Sequence, residues 1–245
     1  MDNGNLPPMQ NRGNRLTISD IVFHENMLTS VIDKMKNKAS AGPDGFPSIL
    51  FKRLKATLIK PLCTFFNHII QFGAIPCSWK VANVTPIFKK GSSTDPGNYR
   101  PISITAVCCK IFESVVKKQL IEYLEDSDLL NSSQHGFLAK HSTCSNLIEA
   151  MNDWTKNLDE KAGSLIAYVD YSKAFDSVSL PKLLYCLENI GIEGKLLSCI
   201  KSFLTGRTQR VKIGNSFSTL KPLISGMPQG SVLGPVLFII YRVRQ

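Results

Sequence analysis

Residues 164–176 read SLIAYVDYSKAFD, and this stretch predicts the centre of the fold. Residues 165–169 are a short, almost unbroken apolar run, which is typical of a strand buried on both faces. Asp170 stands where that strand would end, and Phe175 and Asp176 follow it closely. A carboxylate at the end of a buried strand can be held rigidly, as a metal site requires. A strand followed by a turn that the two aspartates cap would explain the same residues.

The chain has 245 residues, 43% of them apolar, so it can bury a large core as one or two domains. Its formal net charge of +10 favours a polyanionic partner such as nucleic acid, although a merely soluble basic surface would carry the same charge. An odd number of cysteines without a Cys-x-x-Cys pair indicates reduced thiols. The sequence offers neither a signal peptide nor a membrane span. We therefore expect an intracellular protein, nuclear or cytoplasmic, that makes no contact with a membrane.

Helical periodicity dominates the N-terminal half. Apolar residues recur at helical spacing over residues 25–38, 58–70 and 107–125. In the third of these helices we place Glu113 on the polar, solvent-facing side. Residues 1–24 begin with a run rich in Asn, Gly and Pro, so we expect a disordered or loosely packed segment there.

The segment IFKKGSSTDPGNYRPISI, residues 87–104, has two short apolar parts joined by a loop rich in Gly, Ser and Pro. Lys89, Lys90 and Arg100 bracket this loop. A hairpin of this kind puts cations at a flexible tip, where Arg offers phosphate a planar fork and Lys a mobile point charge. A solvated loop with ordinary surface charge is the alternative.

A polar loop follows the third helix and contains His135, His141 and Cys144. Their spacing matches no usual zinc site and a fourth ligand is missing, so we assign no zinc. After this loop, Leu147, Met151, Trp154 and Leu158 form a helical stripe, which we interpret as core packing and not as part of a cofactor site.

The segment RTQRVKIGNSFSTLKPL begins at Arg207 and alternates apolar with polar residues. It predicts a β-hairpin with a two-residue turn at Gly214 and Asn215. Arg207, Arg210 and Lys212 would lie on this hairpin and could follow a phosphate backbone. Exposed strands also carry such charges simply to stay soluble.

The compact loop of residues 226–230 leads into an apolar helix at 231–241. Gln229 and Gly230 would stand at the N-terminus of that helix, where free backbone N–H groups favour an anion or a polar edge of a ligand. A Gly/Pro turn capped into a buried helix would give the same pattern.

Five segments together carry a resemblance: SAGPDGFP, IFKKGSSTDPGNYRPISI, QHGFLAKHST, YVDYSKAFD and GMPQGSVLGPVLFIIY. In this order they resemble the reverse transcriptase domain of non-long-terminal-repeat (LINE-type) retrotransposons over roughly residues 25–241. The resemblance implies an α/β (α+β) fold, the fingers and partial palm of a right-hand polymerase, with helices on a small, mostly antiparallel sheet and no thumb. Fingers and supporting helices would occupy residues 25–163, and the partial palm residues 164–245.

The resemblance also implies the chemistry. A primer 3′-hydroxyl attacks the α-phosphate of a deoxynucleoside triphosphate while two Mg²⁺ ions bridge the reacting groups. An RNA template and a DNA primer would lie in a basic groove. Asp170 would be the catalytic, metal-binding carboxylate, assisted by the carbonyl of Tyr171, and Phe175 would exclude a 2′-hydroxyl. Arg100, with Lys89 or Lys90, would grip the triphosphate. The nucleotide pocket would be lined by Gln229 and Gly230.

One departure from the family decides what we expect of this chain. The family continues into a hairpin with an aromatic-x-Asp-Asp motif that supplies further carboxylates and pairs with the central strand. Here no aspartate follows Asp176 and no acid follows Glu193. We therefore expect a truncated reverse transcriptase that is inactive alone, in which Asp176 has a structural role. A non-catalytic RNA- or DNA-binding remnant, or a decayed reading frame without a role, is the alternative.

Overall fold

The computed structural model describes residues 16–171 and 174–243, which form eight α-helices and five strands. The helices are α1 (Glu25–Lys34), α2 (Ser48–Arg53), α3 (Lys55–Phe72), α4 (Val107–Asp126), α5 (Thr143–Asp159), α6 (Leu180–Asn189), α7 (Gly194–Leu204) and α8 (Gly234–Val243). The strands are β1 (Val81–Phe88), β2 (Tyr99–Ile104), β3 (Thr208–Ile213), β4 (Ser216–Phe217) and β5 (Lys221–Pro222). The predicted α/β class is confirmed. None of the described helices is both long enough and apolar enough to cross a lipid bilayer.

The sheet is small and mixed, with the strand order β2-β1-β3-β4 and β5 paired to β3. β1 pairs antiparallel with β2 and parallel with β3, while β4 and β5 both pair antiparallel with β3. Parallel strands need a long crossover, and here α4 to α7 lie in the connection between β1 and β3. Ile213 pairs with Ser216, so the two-residue turn between β3 and β4 is where the sequence predicted it.

One hydrophobic core runs from the N-terminal segment to α8. Phe23 stacks on Phe112 of α4 with ring centroids 5.1 Å apart, and Phe66 of α3 meets both rings edge-on. Such aromatic pairs add to the free energy that burial of their surface already supplies. Ile21 and Phe23 are 4% and 1% exposed, so these residues correct the prediction of a loosely packed segment over residues 1–24. Residues 1–15 of that prediction lie outside the described residues.

The apolar stripe of α5 is not core, and this corrects the sequence interpretation. Leu147, Met151 and Leu158 are 54%, 53% and 73% exposed, and no residue of α5 is buried. Ser142 begins the helix through a capping box with Ser145. Local signals therefore define the helix, and the described residues leave most of its apolar side exposed.

The predicted central strand is also absent. Residues 162–171 are irregular and exposed, and they join no sheet ladder with another described residue. Leu165, Tyr168 and Val169 are 100%, 85% and 73% exposed. A strand buried on both faces needs strands beside it, and the described sheet places none next to this segment.

Candidate active site

The loop of residues 226–233 leads into α8 and is fixed against the segment that follows the central stretch. The Gly226 N–H donates to the carbonyl of Val178 over 3.2 Å, and the Met227 N–H donates to the carbonyl of Phe175 over 3.0 Å. Gly226 has a φ of +76°, and a Cβ atom there would lie 2.7 Å from the opposing backbone. Only glycine fits such a close approach without displacement of one chain from the other.

The other end of this loop lies against β2. The Ser103 N–H donates to the carbonyl of Gln229 over 2.7 Å. Gly230 has a φ of +104°, and a Cβ atom there would lie 2.8 Å from the Ser103 carbonyl oxygen. The side-chain amide of Gln229 donates to the carboxylate of Asp176 over 2.9 Å. The structure thus brings Gln229, Gly230 and Asp176 together at β2.

Phe175 is held between two other aromatic rings. It is half-buried, and it stacks on Phe238 of α8 with centroids 4.7 Å apart and ring planes 24° apart. Phe137 meets it edge-on, with centroids 6.0 Å apart. This packing restricts the orientations that the Phe175 ring can take, which suits a residue that acts by shape.

Asp170 and Tyr171 lie on the exposed segment. No hydrogen bond or ion pair joins the Asp170 carboxylate to another described residue. The Tyr171 hydroxyl accepts a hydrogen bond of 2.9 Å from Arg242, whose guanidinium lies 4.2 Å above the Tyr171 ring. Tyr171 therefore connects this segment to α8 through its side chain, a contact that the sequence did not predict.

A magnesium site needs several oxygen ligands, and the described residues do not supply them. No three His, Cys, Asp or Glu side chains of residues 16–171 and 174–243 are arranged to hold a metal ion. Asp176 is engaged by Gln229, which leaves Asp170 as a single carboxylate of the central stretch. These residues alone do not fit a two-ion site, so no chemical step is assigned to a metal here.

The predicted triphosphate-binding cations lie on the hairpin of β1 and β2. Arg100 is exposed on β2 opposite Ile87, and Lys89 and Lys90 are exposed where β1 ends. Ser103, which contacts Gln229, follows Arg100 by three residues on the same strand, a separation of about 10 Å. The hairpin that carries Arg100 and the loop of residues 226–233 are therefore connected through one strand, β2.

Arg207 is a core residue, and this corrects its predicted role as a nucleic-acid contact. Its side chain is 2% exposed and donates to the carbonyl of Phe203 over 2.8 Å and to that of Trp79 over 3.4 Å. Burial lowers the pKa of the guanidinium, while the nearby Cys109 and Glu113 act in the opposite direction. A side chain enclosed in this way cannot reach a phosphate backbone in this structure.

Arg210 and Lys212 do lie on the hairpin, beside an aromatic ring. The Arg210 guanidinium lies 4.2 Å above the Phe217 ring, and Lys212 Nζ lies 5.5 Å from it. Arg210 also donates to the side chain of Asn83 over 2.9 Å. Phe217 is 46% exposed, so the hairpin presents cations around an accessible ring, a combination that suits single-stranded nucleic acid.

Glu113 has a role that the sequence analysis missed. It is fully buried, and its Oε2 atom accepts from the N–H groups of Val232 over 2.7 Å and Leu233 over 3.0 Å. The helix α8 begins three residues later than predicted, where Ser231 Oγ accepts from the Gly234 N–H over 3.1 Å. A side chain of the protein itself therefore accepts hydrogen bonds from the N–H groups of Val232 and Leu233 at this helix end.

The carboxyl of Glu113 has no exposure to solvent. Burial raises the pKa of its carboxyl, and the two N–H donors, the thiol of Cys109 and the guanidinium of Arg207 oppose that rise. Cys109 donates to Glu113 Oε1 over 3.4 Å. A sequence signal did exist, because Glu113 lies four residues after Cys109 and three before Val116, on the apolar side of α4.

Comparison with known families agrees with the motifs. Residues 87–242 match the family described as "Reverse transcriptase (RNA-dependent DNA polymerase)". The match covers more than half of the chain, and the chain belongs to this family.

Relatives from mobile elements extend the comparison. The chain is 30% identical over 227 residues to the "RNA-directed DNA polymerase from mobile element jockey" of Drosophila melanogaster, covering 92% of this chain and 24% of that protein. It is 28% identical to the "Probable RNA-directed DNA polymerase from transposon X-element" of the same organism, over 89% of this chain and 24% of that protein. A type-1 retrotransposable element R2 polyprotein of Popillia japonica is 27% identical over 70% of this chain and 24% of that protein. The resemblance to non-long-terminal-repeat retrotransposon polymerases is confirmed, and the chain spans about a quarter of these relatives.

Among solved structures, the chain is similar to part of a protein in the "Partial Cas6-RT-Cas1--Cas2 complex". The two share 17% sequence identity with a TM-score of 0.44, over 89% of this chain and 32% of that one.

Proposed function

We propose that this chain supplies the nucleotide pocket and part of the nucleic-acid surface of a retrotransposon RNA-directed DNA polymerase. The observation that supports this most directly is that the loop containing Gln229 and Gly230 contacts both β2 and the backbone of Phe175. Gln229, Gly230 and Phe175 all belong to the family motifs. In the complete polymerase, a primer 3′-hydroxyl would attack the α-phosphate of a deoxynucleoside triphosphate.

Within this proposal the pocket residues have separate tasks. Gln229 and Gly230 line the nucleotide, and Phe175 fills the space that a 2′-hydroxyl would need. Its packing against Phe238 supports this role, because a ring that cannot turn aside excludes an additional oxygen atom more effectively. Arg100, with Lys89 or Lys90, binds the triphosphate from the neighbouring hairpin.

The proposal assigns Asp170 as one carboxylate of a Mg²⁺ site, with the Tyr171 carbonyl beside it. Reverse transcriptases use this ion, and its preferred ligands are carboxylate, water and phosphate oxygens. Since no three His, Cys, Asp or Glu side chains of the described residues are grouped to hold a metal ion, we propose that the 245-residue chain alone does not extend a primer.

Primer extension on an RNA template with Mg²⁺ tests this proposal. We expect no incorporation of deoxynucleotides by the chain or by its Asp170→Ala variant. Processive incorporation by the unaltered chain that Asp170→Ala abolishes would show that the catalytic site is complete, and would overturn the proposed inactivity.

A second candidate function is binding of RNA or DNA without catalysis. The observation that favours it is the exposed Phe217 with Arg210 and Lys212 around it, on a chain of net charge +10. Filter binding of single-stranded RNA at increasing salt concentration tests this, since neutralised phosphates release counterions and the affinity must fall with salt. The binding-only function requires that the chain binds RNA but shows no saturable binding of a deoxynucleoside triphosphate. Salt-independent binding would contradict both functions.

A further inference from the structure

Glu113 is the only fully buried carboxylate among the described residues. Its acceptor oxygen, on α4, holds two consecutive N–H groups at the end of the loop of residues 226–233. These groups belong to Val232 and Leu233, which are 119 and 120 residues away from it along the chain. The contact therefore fixes the position of the loop relative to a distant helix.

Burial of an acidic side chain in a protein core is energetically unfavourable. Removal of a carboxylate from water is unfavourable, and an apolar side chain of similar volume usually packs at least as well. Here the group makes two charge-assisted hydrogen bonds and has the buried Arg207 as a counter-charge. Unlike an apolar residue, the carboxylate can accept directional hydrogen bonds from the backbone of the loop, and these bonds fix the position of the loop.

The loop has a second anchor at β2, where the Ser103 N–H donates to the Gln229 carbonyl. Only Gly230 and Ser231 lie between Gln229 and the first residue that Glu113 holds. A connection of two residues is short, so Gln229 and Val232 cannot move independently. Displacement of one of them must move the other or strain the backbone between them. The two contacts together determine where Gln229 and Gly230 stand.

We propose that Glu113 is a positioning residue: by holding Val232 and Leu233 it places Gln229 and Gly230 against β2 in the geometry that binds a nucleotide. The nucleotide part of this inference rests on the proposed function of the loop. The positioning part does not depend on that function: it rests on the hydrogen bonds and burial of Glu113 and on the contact between Ser103 and Gln229.

Simple capping of α8 is the competing explanation, and Ser231 provides a matched control. The Ser231 hydroxyl also caps α8, through the Gly234 N–H, but it has no hydrogen bond to Val232, Leu233 or β2. A Ser231→Ala variant should weaken the helix end and leave the β2 contact intact. A Glu113→Ala variant should affect both.

The experiment compares these two variants with the unaltered chain by residue-resolved amide hydrogen exchange in NMR and by titration with a fluorescent deoxynucleoside triphosphate. In Glu113→Ala we expect faster exchange at Val232, Leu233 and Ser103, with affinity about tenfold weaker, the effect of losing one charge-assisted hydrogen bond. In Ser231→Ala we expect a lower melting temperature, with unchanged Ser103 exchange and unchanged affinity.

The possible outcomes separate the two parts of the inference. Unchanged Ser103 exchange in Glu113→Ala, or an equal change in Ser231→Ala, overturns positioning. If Ser103 responds only to Glu113 but the unaltered chain binds no nucleotide, positioning stands and the proposed pocket fails. If Glu113→Ala does not fold, Glu113→Gln keeps the shape and one acceptor oxygen, and must accelerate exchange at the same three amides to a smaller extent.

Discussion

The Gln229 side-chain amide donates to the Asp176 carboxylate over 2.9 Å, across 53 residues of sequence. A carboxylate accepts hydrogen bonds and does not donate them, so the nitrogen of the Gln229 amide must face Asp176. The amide oxygen of Gln229 is then the atom left for a further partner. Asp176 thereby orients the side chain of a residue of the candidate pocket.

The first prediction concerns this hydrogen bond. In Asp176→Asn the new amide can face Gln229 with either its oxygen or its nitrogen, so the orientation of Gln229 is no longer fixed. We expect the affinity for a deoxynucleoside triphosphate to fall about fivefold, the equivalent of one net hydrogen bond of ~1 kcal/mol. Fluorescence titration measures this. Asp159→Asn, at the exposed end of α5, is the charge-matched control, and an equal loss there would contradict the prediction.

The second prediction concerns the stack of Phe175 on Phe238. Phe175→Ala removes that contact and the edge contact with Phe137. Because the ring is only half-buried, we expect a loss of about 2 kcal/mol in the free energy of unfolding, below the usual range for a fully buried Phe. Urea unfolding measures it. Phe72→Ala, at a ring that is 81% exposed, should change the stability by less than about 0.5 kcal/mol. Equal losses at both sites would argue against the stack.

The third prediction separates two arginines that the sequence made look alike. Arg207→Ala removes a buried cation and leaves Glu113 without its counter-charge, so we expect a loss of about 3 kcal/mol in stability. Arg210→Ala removes its hydrogen bond to the buried Asn83, so we expect a smaller loss of about 1 kcal/mol in stability, together with weaker binding of single-stranded RNA and a salt slope smaller by about 1. Urea unfolding and filter binding at several salt concentrations measure the two effects. The reverse assignment, with Arg207 controlling the salt slope, would refute the buried position of its side chain.

The fourth prediction is a pH dependence of stability. Burial raises the pKa of Glu113 above 4.5 in the folded chain, so the folded state holds this proton more tightly than the unfolded state does. Stability must then fall as the pH rises from 4.5 through the folded-state pKa. Glu113→Gln does not titrate, while Cys109 and Arg207, which face this position, are kept. The free energy of unfolding of Glu113→Gln minus that of the unaltered chain should therefore increase with pH over this window and be flat above it.

Urea unfolding between about pH 4 and pH 8 measures this difference. The carboxyl of Glu149 has a lowered pKa because of its hydrogen bond to His135, and it contributes equally to both chains. Its effect cancels in the difference. A difference that is constant with pH, or that decreases as pH rises, would contradict the prediction.

Elements with strong local signals were predictable from the sequence. The helix at residues 107–125 and the turn at Gly214 and Asn215 agree with α4 and with the β3–β4 hairpin. Helical periodicity and a two-residue turn are properties of a few neighbouring residues, so no knowledge of the rest of the fold is needed. Gly73 similarly ends α3 in the left-handed conformation, near the predicted end of that helix.

Features that depend on a distant neighbour were not predictable. An apolar run such as residues 165–169 indicates a buried strand only if other strands flank it, and the same limit applies to the stripe of α5. For Glu113 and Arg207 the error is the opposite one: both were predicted to be exposed and both are buried. A charged residue is usually exposed, and its burial cannot be predicted without knowledge of its partners. The motif residues Gln229 and Gly230 could be identified, but their contact with Ser103 could not.

The uncovered segment has a consequence for how this polypeptide behaves once translated. Residues 164–169, SLIAYV, combine β-branched and aromatic side chains with no charge and no proline, the composition that favours intermolecular cross-β stacking. Leu165 is fully solvent-accessible and Tyr168 and Val169 are 85% and 73% exposed, so most of the large side chains of this hexapeptide can contact its copies on other molecules. Self-association should therefore grow with concentration, and chaperones and proteases that recognise bare apolar sequence would set how long the polypeptide persists in a cell.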